Sequence, residues 1–487
     1  MSEQTLKQKT ANGLLWGGIM NGAQQVLNLA FGIFLARCLS ASDYGLVGML
    51  TIFALIATAL QESGFISALN RKKEATAADF NAVFWFNVLC STAVYLLLFA
   101  AAPLIAAWFR QPLLVPLARV SFLSFVISSL NTAPRAWLFR HMKVRETALL
   151  SVGALFTSGL TGVILAWQGF AYWAIVVQNL TFCTMLTLGS WAFCKWRPSW
   201  HIDLRPLRSM IGFSSRLLAT NIFTHINNNL FSIVFGRLYG EQTVGYYNQA
   251  NKWTGMGHTL LTGMLWSVTQ PLFARLSEET DERKQRVFRK MLRLTAFLSC
   301  PALFGLALVA GEFITIAITD KWLPSAHLMQ WLCVGGAFLP IAALYSNFVV
   351  SQGHSQVYMW NTLAQCLVQM LLMALLHPYG VDVMVWAYVV ANTLWLLVWH
   401  RFVRRLIGLR LRDALRDVVP FVLLAAASMA LAWGAATLLD GGVYVSLAVK
   451  VLVAAAVYVA SLRLLGAQIM AECLDFAKEK LHLKTSH

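Results

Sequence analysis

Runs of about twenty apolar residues recur along almost the whole chain, separated by short turns that hold most of its charges, prolines and glycines. A backbone surrounded by hydrocarbon must satisfy its own N–H and C=O groups, which leaves helices and closed barrels. These runs are continuous rather than alternating, so they read as helices. Fourteen spans are counted, at about 12–36, 44–69, 80–108, 113–134, 147–167, 171–194, 209–235, 244–270, 287–311, 325–350, 356–376, 381–400, 417–437 and 443–465. With 58% hydrophobic and only 12% charged residues over 487 positions, and a mean hydropathy of +0.62, the chain cannot keep most of its surface in water. The expectation is an all-α polytopic membrane protein with about 14 transmembrane helices.

The basic residues orient it. With the N-terminus inside, 30 of the 38 Lys and Arg fall on the inner side, among them Lys7, Lys9, Arg71 to Lys73, Arg275 to Arg293 and Arg401 to Arg416. Only Arg37, Arg110, Arg237 and Lys321 fall on outer turns. Cytoplasmic loops hold the Lys/Arg excess, so both termini are predicted to be cytoplasmic. The same placement accounts for the net charge of +17 through topology and anionic lipid head groups, with no need of nucleic acid. The eight cysteines are dispersed, with no C-x-x-C pair, and read as small apolar fillers. No cleavable signal peptide is evident, and the first span is expected to be retained.

The chain also repeats itself. Asn21, Gln24, Gln25 and Asn28 recur 200 positions later as Asn221, Thr224, His225 and Asn228. The spacing i, i+3, i+4, i+7 is one helix face, so two apolar helices carry matching polar stripes. The echo runs on through Phe31/Phe231, Ile33/Ile233, Arg37/Arg237 and Gly45/Gly245. Six spans is an even number, so both halves start on the same side and the repeat is parallel. The expected division is 1–194 for an N-lobe of spans 1 to 6, 195–208 for a cytoplasmic inter-lobe linker with Pro198 and Pro206, 209–405 for a C-lobe of spans 7 to 12, and 406–487 for spans 13 and 14 with a cytoplasmic tail. Spans 13 and 14 have no counterpart and look like an appendix. Ser277 to Arg286, with four acids among arginines, reads as an amphipathic surface helix between spans 8 and 9. The outer loops are short, the longest from about Glu312 to Pro324, and none can hold a soluble active site. Duplicated membrane halves usually enclose a substrate path, which makes a transporter the first hypothesis.

Ionisable groups within spans are costly and by default suggest function. Arg216 and Lys252 each lie about 12 Å along a helix from a membrane face at 1.5 Å per residue. Arg216 precedes Asn221, His225, Asn228 and Asn229, and Lys252 follows Asn248 and Asn251. Cations among amides suit a cavity that receives an anion and sugar hydroxyls. The substrate-binding candidates are thus Asn21, Gln24, Gln25, Asn28, Arg216, Asn221, Thr224, His225, Asn228, Asn248, Asn251 and Lys252. The plainer reading is that the amides join helices and the cations snorkel, which is the better account of Arg119 and Lys450. Glu62 is a proton or sodium site, or an ion-pair partner for an arginine. Stripes at Asn361, Gln365 and Gln369 and at Ser121, Ser124 and Ser128 complete the set, the serines reading as close helix packing. There is no G-x-x-x-x-G-K-[ST], no H-E-x-x-H and no metal-spaced Cys/His cluster. No catalytic residue, metal or cofactor is expected, and the chain does not read as an enzyme.

Several stretches resemble a known family. They are Arg37-Cys-Leu-Ser-Ala-Ser-Asp-Tyr-Gly45, Gly236-Arg-Leu-Tyr-Gly240 with Val244-Gly-Tyr-Tyr-Asn248, Pro271-Leu-Phe-Ala-Arg-Leu276, Pro301-Ala-Leu-Phe-Gly305 and Lys321-Trp322. Together they resemble the polysaccharide transporters (O-antigen, colanic acid and lipopolysaccharide exporters) of the multidrug/oligosaccharidyl-lipid/polysaccharide exporter superfamily. The resemblance implies two parallel six-helix lobes plus two C-terminal helices in a bacterial inner membrane. It implies carriage of a polyprenyl-diphosphate-linked oligosaccharide from inner to outer leaflet by alternating access, through a central cavity lined largely by spans 1, 2, 7 and 8. Many relatives place an aspartate after the asparagine run, where this chain reads Asn229-Leu-Phe231, so that acid's role in cation coupling does not carry over. The alternatives are an exporter of small cationic drugs, whose cavity should be acidic rather than basic, and a non-transport component of polysaccharide assembly. Expected partners are the lipid-linked oligosaccharide, the membrane and polymerase or assembly proteins, with no nucleic acid. Fourteen spans can enclose a cavity in one chain, which favours a monomer.

Overall fold

The computed structural model describes residues 22–62, 76–141, 143–200, 203, 222, 225–226, 229–276, 279–439 and 441–464. Among these residues the regular structure is helical, without strands. In chain order the helices are α1 (22–38), α2 (Ala41–Glu62), α3 (Ala77–Phe109), α4 (Leu114–Ser121), α5 (Leu123–Arg140), α6 (Val144–Trp167), α7 (Tyr172–Phe193), α8 (Asn229–Leu238) and α9 (Glu241–Arg275). They continue as α10 (Asp281–Leu308), α11 (Ala310–Ile318), α12 (Leu323–Gly336), α13 (Leu339–Ser351), α14 (Ser355–Leu376), α15 (Val381–Ile407), α16 (Leu411–Thr437) and α17 (Gly442–Leu464). Eleven stretches among the described residues are long and apolar enough to cross a membrane. The 35-residue α9 is not among them, although its length would span one. Asn248, Gln249, Asn251 and Lys252 dilute its hydropathy, in keeping with the polar character read from span 8.

Local chemistry sets the helix ends. Thr76 and Asp79 form a reciprocal capping box at the start of α3, with the Thr76 backbone N–H donating to Asp79 Oδ2 at 2.9 Å. Pro324 and Pro340 stand in the first turns of α12 and α13, where a missing N–H costs nothing. The second of these prolines divides span 10 into two helices, just after Gly335 and Gly336. The acidic segment expected as a separate surface helix is instead the beginning of a membrane helix. Asp281 and Glu282 form the first turn of α10, where carboxylates complement the N-terminal end of the helix dipole.

The chain forms two compact units, residues 1–248 and 249–487, with the division inside α9. In the first unit the linker residues nearest the N-lobe are docked. Asn81 accepts from the Ser199 backbone N–H at 2.9 Å, the Trp85 indole donates to the Ser199 carbonyl at 2.8 Å, and Trp196 packs on Phe80 and Phe84. The same unit contains a reciprocal contact between α2 and the first residues of α9. A Cβ at Gly45 would lie 1.7 Å from the Glu241 carbonyl oxygen, and one at Gly245 would lie 1.8 Å from that of Ala41. Positions 41 and 45 are the repeat equivalents of 241 and 245, so the same surface is used twice. Only glycine lets the two backbones approach this closely.

The second unit is built on a large apolar cluster that includes Phe273, Phe288, Leu292, Phe348 and Phe421. Here α16 and α17 are not an appendix. Helix α16 packs on α10 and α17, and Asp417, only 4% exposed, accepts from Arg289 Nε at 2.6 Å and Nη2 at 3.1 Å. Arg293 Nε lies 3.6 Å from the same carboxylate. Lys450, expected to snorkel, pairs with Glu312 of α11, which also accepts from Ser446 at 2.8 Å. Both ion-pair side chains are nearly buried, at 12% and 14% exposure. Glu312 was expected in an outer loop, but lies in the first turn of α11. Removing one partner of such a pair leaves the other charge stranded, so Lys450→Met is expected to cost about 3 kcal/mol, and adding Glu312→Gln to restore most of it. Thermal unfolding of the purified variants in detergent checks this; equal midpoints for Lys450→Met and the parent would refute the pairing.

Candidate substrate-binding site

The first unit has a partly open cavity of about 580 Å³, within the ~300–1,000 Å³ usual for small-molecule sites. Five segments line it, each with one face. From α2 come Val47, Leu50, Thr51, Ala54, Leu55 and Thr58, at helical spacing. The junction of α4 and α5 gives Ser121, Phe122, Ser124, Phe125 and Ser128, and α6 gives Ser151, Leu155 and Ser158. Helix α7 contributes Gln178, Asn179 and Cys183 among apolar neighbours, and α1 contributes Gln24 and Asn28. Thr51, Leu155 and Cys183 fall near the midpoints of their helices, so the cavity lies at half the length of the bundle. Gly162 makes room beside it, since a Cβ there would come within 3.0 Å of the Gln178 side chain.

The hydrogen bonding of this lining is lopsided. Thr51 donates to the Val47 carbonyl at 3.2 Å, Thr58 to Ala54 at 2.9 Å, Ser124 to Ser121 at 2.7 Å, Ser151 to Thr147 at 2.9 Å and Ser158 to Leu155 at 3.1 Å. Each hydroxyl proton is therefore used on a backbone carbonyl three or four residues earlier, and lone pairs remain for a ligand. Ser128 is hydrogen-bonded to Cys183. The Ser121 hydroxyl is buried without a partner. Donors come from the amides of Gln24, Asn28, Gln178 and Asn179. No Asp, Glu, Lys, Arg or His is among the described lining residues.

The residues singled out from the sequence divide accordingly. Gln24 and Asn28 line the cavity, whereas Gln25, exposed on the same helix, does not. Asn248 accepts from Ser232 at 3.0 Å, and its amide nitrogen would lie 2.0 Å from a Cβ at Gly48, so it fills the space that glycine leaves. His225 is half-buried, and its backbone carbonyl accepts from Asn229 at 3.0 Å. In the second unit Asn251 is exposed, and the Lys252 ammonium lies 5.2 Å from the Trp253 ring centroid, a cation–π contact. Asn21, Arg216, Asn221, Thr224 and Asn228 lie outside the described residues, as does the Glu62 side chain. The stripe Asn361, Gln365, Gln369 holds helices together. Gln365 and Gln369 both donate to Asn392 Oδ1, at 2.6 and 2.8 Å, and Trp395 donates to Asn361 at 3.1 Å.

The serine stripe is the main correction. Read as packing, Ser121, Ser124 and Ser128 instead form one wall of the cavity. Gln178 and Asn179 were not singled out, although two adjacent amides in an apolar span, and hydroxyls seven apart at Thr51/Thr58 and Ser151/Ser158, were visible signals.

The helical architecture is that of the multidrug/oligosaccharidyl-lipid/polysaccharide exporter superfamily. It is similar to the lipid II flippase MurJ in an inward closed conformation (TM-score 0.72, 15% identity, 93% of this chain and 99% of that one). It is also similar to an inward-facing multidrug resistance MATE family transporter (TM-score 0.64, 16% identity, 79% and 94%). Residues 34–327 match the family described as "Polysaccharide biosynthesis protein", and the chain belongs to that family. Among relatives, the lipopolysaccharide biosynthesis protein WzxC of Escherichia coli is 25% identical over 68% of both chains. The teichuronic acid biosynthesis protein TuaB of Bacillus subtilis is 22% identical over 88% of this chain and 89% of its own.

Proposed function

We propose that the protein is a flippase that carries a polyprenyl-diphosphate-linked oligosaccharide from the inner to the outer leaflet of a bacterial inner membrane by alternating access. The observation that carries this reading is the cavity itself. A void lined by hydroxyls and amides at the middle of apolar helices is costly to maintain in a membrane unless a polyhydroxylated ligand uses it. A small-cation exporter is less well supported, because no acid is among the described lining residues. In this reading Arg216 and Lys252 hold the diphosphate, the sugar enters among the polar stripes, and the polyprenyl tail stays in lipid. Both termini are cytoplasmic, the two lobes are residues 1–194 and 209–405, and a monomer suffices. Polymerase or assembly proteins act before or after it.

A deletion strain is expected to accumulate lipid-linked oligosaccharide facing the cytoplasm and to lose the surface polymer, as read by lipid extraction and an impermeant sugar probe on spheroplasts. A strain proven to make the precursor but showing no accumulation would refute the flippase reading. The Arg216→Ala, Lys252→Ala double variant is expected to lose most transport while reaching the membrane at parental levels. Normal flipping by that variant would remove the diphosphate assignment alone.

A further inference from the structure

We infer that the cavity in the first unit is an acceptor-rich sugar subsite that admits uncharged, hydroxyl-bearing sugars and rejects those carrying a carboxylate. The inference rests on the flippase reading and adds the selectivity of its glycan site.

Five lining hydroxyls, on Thr51, Thr58, Ser124, Ser151 and Ser158, spend their protons on backbone carbonyls three or four residues earlier. A ligand therefore meets oxygen lone pairs over most of the polar wall, and it must supply the protons. A sugar hydroxyl can, because it is both donor and acceptor. A carboxylate cannot, because it only accepts. To donate to it, a serine or threonine would have to give up the bond to its backbone carbonyl, so the new bond is offset by the one lost. The available donors are amide groups, chiefly Gln178 and Asn179, and the unpartnered Ser121 hydroxyl, and all of them are neutral. An ion entering here exchanges its water for a lining with no opposite charge among the described residues, which is far costlier than burying a neutral hydroxyl that finds a partner.

The discrimination is thus between a CH₂OH and a COO⁻ at the same position of one sugar. Sites built to hydrogen-bond a hydroxyl reject analogues that lack it much more strongly than apolar sites reject a change of size. The cavity also contains its own reporter. Cys183 lines it, so a ligand that fills the cavity shields that thiol.

The test uses the full chain in lipid nanodiscs and three probes: bare polyprenyl diphosphate, the same lipid carrying a terminal glucosyl disaccharide, and its counterpart ending in a glucuronyl residue. Affinity is read by native mass spectrometry, and occupancy by the rate at which methyl methanethiosulfonate modifies Cys183. The glucosyl probe is expected to bind at least about tenfold tighter than the glucuronyl probe and to slow Cys183 modification about as much. The bare lipid should leave that rate unchanged. In Thr51→Lys, which adds a cation to the lining, the preference should narrow or invert. Equal affinity for the two sugars in the parent chain overturns the selectivity. Protection of Cys183 by bare polyprenyl diphosphate overturns the sugar assignment of this cavity. Either failure leaves the flippase reading to be judged by accumulation in the deletion strain, which does not depend on where the sugar sits.

Discussion

Adding one methyl group at Gly245, or at its repeat equivalent Gly45, is expected to destabilise the protein by about 3 kcal/mol, the upper end of what overpacking a close contact costs. The new carbon would lie 1.8 Å from the Ala41 carbonyl oxygen or 1.7 Å from that of Glu241. Both obstructing atoms are backbone, so no side chain can rotate away and the helices must separate. Gly153 of α6 provides the internal control. Nothing lies within 4 Å of a Cβ there, and Gly153→Ala is expected to raise stability by about 0.5–1 kcal/mol through helix propensity alone. Thermal unfolding of the three variants in one detergent decides the matter. Gly245→Ala as stable as Gly153→Ala would show that α2 and α9 are not in close backbone contact.

Asp417→Ala is expected to be comparably damaging, at about 3 kcal/mol, for an electrostatic reason. The carboxylate is 4% exposed and receives two hydrogen bonds from Arg289, with Arg293 3.6 Å away. Its loss takes from Arg289 the carboxylate that accepts from it and from Arg293 the nearby acid, leaving the weaker field of Asp413 at Arg289. The arginine side chains are 31% and 37% exposed and can recover part of their hydration, so the cost should fall below that of a fully buried pair. Arg289→Ala should cost less than Asp417→Ala, and the double variant less than the sum of the two. Additive losses in that double-mutant cycle would show that Asp417 and Arg289 do not interact.

The membrane class and the helical architecture were readable because they depend on local properties. Apolar runs of sufficient length must become helices, and the polar stripe on α1 could be traced by its period alone. Gln24 and Asn28, which line the cavity, belong to that stripe. Lys450 was misjudged because its depth in the helix was visible, whereas its partner was not. Glu312 lies 138 positions earlier, and only packing of α17 on α11 reveals the pair. The serines of α4 and α5 show the same limit. A hydroxyl that packs and one that lines a void leave the same mark on the sequence, and the difference depends on whether facing helices fill the space. Asn248 is the converse, an amide that looked free to bind a ligand and is engaged by Ser232 and by the space at Gly48.

That last contact bears on how such a chain can change over time. Fused copies of a gene are ordinarily free to diverge, each half accumulating its own substitutions. Where α2 meets α9 that independence is suspended, because the residue at a given place in one copy is the neighbour of the corresponding region in the other. Gly45 and Gly245 are both held by it. At 48 and 248, where a position faces its own duplicate, one copy has kept an asparagine and the other has only a hydrogen atom to offer. A larger side chain on one side is matched by a hydrogen on the other, so the two positions share one volume although their residues differ.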